Sequence, residues 1–160
     1  MKIFNLIIVS IFLMFCFTLS AFAIMSEDGS WEYQRFRDGT AAVTGYFGDG
    51  GAVTIPTEFD GVKLNRIGNN AFEENTNITS ITIPEGIVEV GVKSFYNANS
   101  LKEVIFPSTI TKLGDGSFMG CVNIKLVSLP KGLIEIGSFS FADCSGLTEI
   151  NVPENIKGNL

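Results

Sequence analysis

The chain has 160 residues, enough for one ordinary domain, and its 11 basic against 17 acidic side chains give a formal charge of −6. An acidic chain is repelled at every phosphate, and its three arginines, Arg35, Arg37 and Arg66, form no stripe, so nucleic acid is excluded as a partner. Histidine is absent, which removes Ser-His-Asp and Cys-His nucleophile systems, HExxH zinc sites and mixed Cys/His zinc sites; no metal and no cofactor are expected.

The amino terminus reads as an export segment. Met1-Lys2 supplies one positive charge, residues 3–19 are almost wholly apolar, and Ala21-Phe22-Ala23 has the small-x-small form that signal peptidase accepts. Residues 1–23 are therefore expected to be a signal peptide. An uncleaved anchor is the alternative, because the stretch from Ile3 to Met25 carries no charge and about 20 such residues suffice to cross a bilayer. Either way Lys2 stays cytoplasmic and Glu27 and Asp28 lie on the far side, so the rest is expected to be secreted or displayed at the cell surface, with membrane contact only through this segment. Cys16 follows the bulky Phe15, which does not suit a lipobox, and is read as part of the apolar region. Without the segment, 10 basic residues face 17 acidic ones, a charge of −7.

Residues 24–51 carry a hairpin signal. Trp31-Glu32-Tyr33 and Ala42-Val43-Thr44-Gly45-Tyr46 flank Asp38-Gly39, a turn dipeptide between apolar runs, and the hairpin is expected to cap the first turn of the region beyond it. Gly48-Asp49-Gly50-Gly51 reads as a turn, since no GxxxxGK[ST] or GxGxxG phosphate-binding pattern occurs.

From residue 52 to 160 the chain repeats itself. Pro84, Pro107, Pro130 and Pro153 fall 23 residues apart. Before each proline the columns are Ile78/Leu101/Ile124/Leu147, Ile81/Val104/Val127/Ile150 and Ile83/Phe106/Leu129/Val152. After it come Ile87/Ile110/Leu133/Ile156, Val90/Leu113/Ile136, Gly91/Gly114/Gly137 and Phe95/Phe118/Phe141. One 23-residue turn holds too few apolar side chains to enclose a core, so the turns must stack as a solenoid of about four and a half turns. Alternation places a strand just before each proline, which ends it because proline cannot donate to a ladder. The recurring glycine marks a corner needing positive φ or close approach, and Ser-Phe or Ala-Phe suits a short helical turn with its ring inward; no long helix fits. A divergent first turn, Ala52-Val53-Thr54-Ile55-Pro56 to Ile67-Gly68-Asn69-Asn70-Ala71-Phe72, has five extra residues around Phe59-Asp60-Gly61, expected to protrude as a loop.

The pattern LxxIxIPxxIxxIGxxAF, with Cys or a small residue three places after the Phe, resembles the BspA-type leucine-rich repeats over roughly residues 40–160. The resemblance implies a mostly β leucine-rich-repeat solenoid. It also implies an exported surface protein, of a family found in bacteria and some protists, that binds or adheres to host or neighbouring-cell proteins. Members commonly have many more repeats, which leaves open that this is the amino-terminal part of a longer array.

The outward positions of the strands are the candidate binding surface. Thr54, Thr82, Ile105, Ser128 and Asn151 form one column, and Ser80, Glu103, Leu126 and Glu149 the next. Ile105 and Leu126 are apolar where solvent is expected, which suits an extracellular protein or host-surface ligand; a solvated β ladder accounts for Thr and Ser equally. Glu103 and Glu149 fall about 10 Å apart by strand spacing, near the upper range of an inverting glycosidase pair, but Leu126 lies between them and nothing implies a pocket, so no enzyme is expected. Cys121 and Cys144 share a column one turn apart, where either a disulfide or a pair of stacked buried thiols fits. Asn77-Ile78-Thr79 is a glycosylation sequon if the source glycosylates exported proteins. An open carboxy-terminal edge would allow self-association through residues 147–160.

Overall fold

The computed structural model describes residues 23–154 and 156. The expected export segment, with Cys16 inside it, lies outside the described residues except for Ala23.

The described residues open with a three-stranded cap. β1 (Ile24–Met25) pairs antiparallel with β2 (Trp31–Arg35), which turns through Asp38-Gly39 into β3 (Ala41–Tyr46). Gly39 has φ +82° and the Asp38 carboxylate accepts bonds from the Thr40 amide and hydroxyl, so both turn residues are used as their chemistry suggests.

The first turn opens with β4 (Gly51–Thr54), and its insert is a second hairpin rather than a protruding loop: β5 (Glu58–Phe59) pairs antiparallel with β6 (Val62–Ile67). Asp60 and Gly61 take the left-handed corner at φ +48° and +74°. Two contacts fold this hairpin onto the cap. The buried Phe59 ring stacks on Tyr33 at 4.6 Å and 12°, and Asp60 accepts a hydrogen bond from the Tyr33 hydroxyl and pairs with Arg35 at 3.1 Å. Desolvation and that same carboxylate hold the Tyr33 phenol above its ordinary pKa.

The regular turns come next, each with two strands: β7 (Ile78–Thr82) and β8 (Glu89–Val90), β9 (Glu103–Ile105) and β10 (Lys112–Leu113), β11 (Leu126–Ser128) and β12 (Glu135–Ile136), then β13 (Glu149–Asn151). The strands before the prolines form the expected face, with Val53, Ile81, Val104 and Val127 buried beneath it. The others extend the cap into one sheet with strand order β1-β2-β3-β6-β8-β10-β12, parallel from β3 onward, so the cap closes this sheet's first edge. Two-residue strands give alternation no length in which to appear, so Val90, Leu113 and Ile136 are recognisable in the sequence as inward columns but not as a ladder.

Between the two sheets run stacked side chains. Phe72, Phe95, Phe118 and Phe141 lie nearly parallel with centroids 4.7, 4.9 and 5.4 Å apart. Beside them Ser94 and Ser140 donate to the Gly91 and Gly137 carbonyls, while the buried Ser117 hydroxyl has no partner. The short segments around each Phe are successive turns with bonds such as Tyr96 N–H to Lys93 C=O at 3.1 Å and Ala98 N–H to Phe95 C=O at 3.1 Å. Among the described residues none continues into a helix, and none is long and apolar enough to cross a membrane. Left-handed residues interrupt them twice per turn, at Asn70/Lys93/Gly116/Phe139 and at Glu74/Asn97/Gly120/Asp143.

Gly91, Gly114 and Gly137 are not among the left-handed residues, so close approach is what requires them. A Cβ on Gly114 would stand 2.6 Å from the Val92 nitrogen and 2.7 Å from the Gly91 carbonyl carbon. Both are backbone atoms that cannot swing aside. Gly114→Ala is expected to cost about 2–3 kcal/mol, within the range for forcing bulk into a packed site. Urea unfolding checks this: the midpoint should fall with the slope unchanged, and an unmoved midpoint would refute the close-approach account.

Candidate functional site

The strand face presents its side chains because alternation leaves no other place for them. Thr54, Ile105, Ser128 and Asn151 are exposed and Thr82 half-buried, all on successive strands of the first face. Strand register puts Ser80 opposite Glu103 and Thr82 opposite Ile105, then Leu126 opposite Glu149 and Ser128 opposite Asn151. The two columns derived from the repeat are therefore real neighbours within each ladder. Between β9 and β11 the ladder is not hydrogen-bonded, so the face comprises one three-stranded and one two-stranded sheet.

Ile105 is 47% exposed and Leu126 52% exposed, one on each side of this interruption. They stand in columns otherwise filled by Thr, Ser, Asn, Glu and Ala52, and leaving about half of each side chain in water forgoes part of the roughly 1.5–3 kcal/mol that full burial contributes. Glu103 and Glu149 flank Leu126 in its column, and Ser80 donates weakly to Glu103 at 3.4 Å. Both carboxylates stand on an exposed strand surface, a setting for contact rather than for enclosing a substrate. Among the described residues no group of three His, Cys, Asp or Glu side chains is placed to hold a metal ion.

Cys121 and Cys144 are buried free thiols. Each donates to a carbonyl of an earlier turn, Cys121 Sγ to Phe95 at 3.0 Å and Cys144 Sγ to Phe118 at 3.1 Å. The column thus serves the Phe stack, with both thiols free in this structure, one of the two arrangements that the column spacing allows. Desolvation, with the neighbouring Cys144 thiol next, pushes the Cys121 thiol up to about 12, and desolvation also raises Cys144. Asn77 is exposed, with its backbone carbonyl accepting from Gly51 at 2.9 Å; Ile78 of its sequon is buried in β7.

Several exposed apolar residues are not singled out by the sequence pattern, Phe47, Ile134 and Phe139 among them. Phe139 is 68% exposed and left-handed at φ +60°, in a column whose other members are Asn70, Lys93 and Gly116. A bulky residue there is an outlier. A signal exists, since an aromatic in a polar column departs from the repeat as visibly as Ile105 does.

The family model for the BspA type leucine rich repeat region matches residues 63–158 in six copies. Among solved structures, a leucine-rich repeat protein from Bacteroides capillosus is 24% identical with a TM-score of 0.70, over 85% of this chain and 99% of that one. A leucine rich cell surface protein from Faecalibacterium prausnitzii is 25% identical with a TM-score of 0.64, over 86% of this chain and 44% of that one. The pneumococcal vaccine antigen PcpA is 22% identical with a TM-score of 0.68, over 88% of this chain and 40% of that one. This chain spans less than half of the latter two, and the likenesses show the solenoid fold. None of the curated proteins matches the sequence.

Because a thiol reacts as its thiolate, both repeat cysteines should resist alkylation while the chain is folded. After native iodoacetamide treatment at pH 8, mass spectrometry should find Cys121 and Cys144 unmodified, and modified once urea is added. Rapid native labelling of either would contradict its burial.

Proposed function

The chain belongs to the BspA-type leucine-rich repeat family, and from that membership and the geometry of the strand face we propose that it is an exported binding module, not an enzyme, that recognises an extracellular protein. Proteins of this family are surface repeat proteins that generally bind other proteins. The observation that carries the reading is the pair of exposed aliphatic side chains, Ile105 and Leu126, on adjacent strands of an otherwise polar face. Solenoids use such extended surfaces for partners, and a few well-buried residues at the centre of an interface supply most of its energy. Secretion or surface display is supported by the signal-like residues 1–23 and by the surface-protein description of the Faecalibacterium neighbour. Adhesion is the biological form such binding takes on a cell surface.

Biolayer interferometry against an immobilised panel of extracellular matrix proteins tests this. Ile105→Glu combined with Leu126→Glu is expected to weaken any interaction at least about tenfold, since losing a buried contact at each of two central positions removes more than about 1.4 kcal/mol. Both side chains are exposed, so the double variant should unfold at the wild-type urea concentration. Unchanged affinity would remove the strand face from the binding surface.

A second reading, self-association as a structural module, rests on the last turn. Phe141, Leu147 and Ile150 are only half-buried where their column mates Phe118, Ile124 and Val127 are fully buried. Another copy stacked there would cover them. Light scattering should then show mass growing with concentration, and Ile150→Glu should abolish the growth; a monomer at every concentration would dismiss this reading.

A further inference from the structure

The strand face breaks at one step, and several features change together there. β4, β7 and β9 form one ladder and β11 and β13 another. At the intact steps the residue after each strand donates to the next turn: Ile55 to the Thr82 carbonyl at 3.0 Å, Ile83 to Ile105 at 3.0 Å and Leu129 to Asn151 at 3.2 Å. Among the described residues Phe106 makes no equivalent bond to Ser128. Lys102 donates to the Thr79 carbonyl and Thr148 to that of Lys125, each at 2.9 Å, and again no bond joins Lys125 to Lys102.

On the opposite side the same two turns are held closely. β10 and β12 pair in register, Lys112 meets Glu135 at 3.4 Å, and the Gly137 amide donates to the Leu113 carbonyl at 2.8 Å. A Cβ on Gly137 would stand 2.4 Å from the Asp115 nitrogen, nearer than the closest backbone atom at Gly91 or Gly114. Between the two sheets the Phe118–Phe141 spacing is 5.4 Å, the widest in the stack. The corner segments are held as well, Gly116 N–H to Ser138, Phe118 N–H to Ser140 and Gly120 N–H to Ala142 at 2.8–2.9 Å, and the Asn123 side-chain amide donates to the Asn99 carbonyl at 2.6 Å ahead of the strands, so the two turns are parted only along the β9–β11 ladder.

Phe106 supplies the cause. Its column is otherwise Ile55, Ile83, Leu129 and Val152, so it alone places an aromatic ring at this height. The ring is half-buried and lies edge-on to Phe118 at 5.7 Å and 75°. Extra bulk in a packed column forces its neighbours apart.

We propose that the step between β9 and β11 is a hinge, wedged open by Phe106 and pivoting on the β10–β12 edge and the bonded corner segments, that sets the separation of Ile105 and Leu126. The inference rests on the strand face being the binding surface, and it adds how that surface adapts to a partner. Ile105 and Leu126 stand on opposite rims, so a pivot moves them relative to one another without breaking a ladder hydrogen bond. The intact steps on either side have such bonds to break and move as rigid units.

Dipolar EPR tests the hinge without a partner. In a Cys16→Ala background, label pairs at exposed or half-exposed positions span two steps each. Thr82→Cys with Ser128→Cys crosses the break on the strand face, Thr54→Cys with Ile105→Cys crosses only intact steps, and Val88→Cys with Ile134→Cys crosses the same turns as the first pair on the opposite side. The buried thiols of Cys121 and Cys144 leave the introduced cysteines as the labelled sites. A broader distribution shifted to longer distance is expected for the first pair alone, and Phe106→Leu should remove the excess width. Equal widths in all three pairs would overturn the hinge while leaving the binding reading to its own affinity test. Excess width that survives in a folded Phe106→Leu variant would overturn the wedge as its cause. Unchanged affinity of the Ile105→Glu, Leu126→Glu variant against a broad first pair would overturn the link between the motion and recognition.

Discussion

A 23-residue turn of this chain cannot enclose its own apolar side chains, and the whole architecture depends on each turn stacking onto the one before. Every inward position must then repeat at one period, because a side chain meets its equivalent in the next turn at strand spacing. The phenylalanines show how strict this is: four rings lie within a few degrees of parallel, and beside them Ser94, Ser140, Cys121 and Cys144 donate to backbone carbonyls at the corners they line. Glycine at residues 91, 114 and 137 lets adjacent backbones come closer than a Cβ permits. Stability in such a chain is the sum of nearest-neighbour contacts, so a local defect changes one step and leaves the others intact.

That one-dimensional logic explains what is legible in the sequence. Columns survive as spacings, so the inward residues, the proline-ended strands and the outward Thr54, Thr82, Ile105, Ser128 and Asn151 can all be read from the repeat. The Asp38-Gly39 turn is legible for a local reason, the left-handed glycine that it places at φ +82°. What escapes is geometry that a spacing does not encode. A two-residue strand such as Glu89–Val90 has no alternation of its own. Left-handed backbone at Lys93, Glu74 and Phe139 falls on residues that give no glycine signal. The insert around Asp60 looks like a loop because its partner, Tyr33, lies 27 residues earlier in the chain.

The candidate site is legible as a departure from the repeat. Ile105 and Leu126 are apolar in polar columns, and their exposure on adjacent strands gives that departure a place. The break between β9 and β11 is not legible, although its cause is in view: Phe106 reads as one more apolar residue in its column. Whether a ring fits that height depends on Phe118 beneath it and on how much room the next turn leaves, which is a property of the stack rather than of the letter.

Stacking alone does not fix which turn succeeds which, since every turn offers the same columns. The second ladder carries a device that does. Arg66, Glu89, Lys112 and Glu135 occupy one outward column, each in register with the next, so charge alternates from turn to turn. Each correct neighbour is of opposite sign, and Lys112 and Glu135 close to 3.4 Å. Skipping one turn would set Arg66 against Lys112, or Glu89 against Glu135. Opposite charges directly across a ladder contribute only about 0.2–1 kcal/mol per pair, and like charges there are destabilising. The sign reverses at every step, however, so a skipped turn meets a like-charge pair at whichever junction it occurs. The column therefore contributes little to the total stability of the solenoid and more to the order in which its turns assemble.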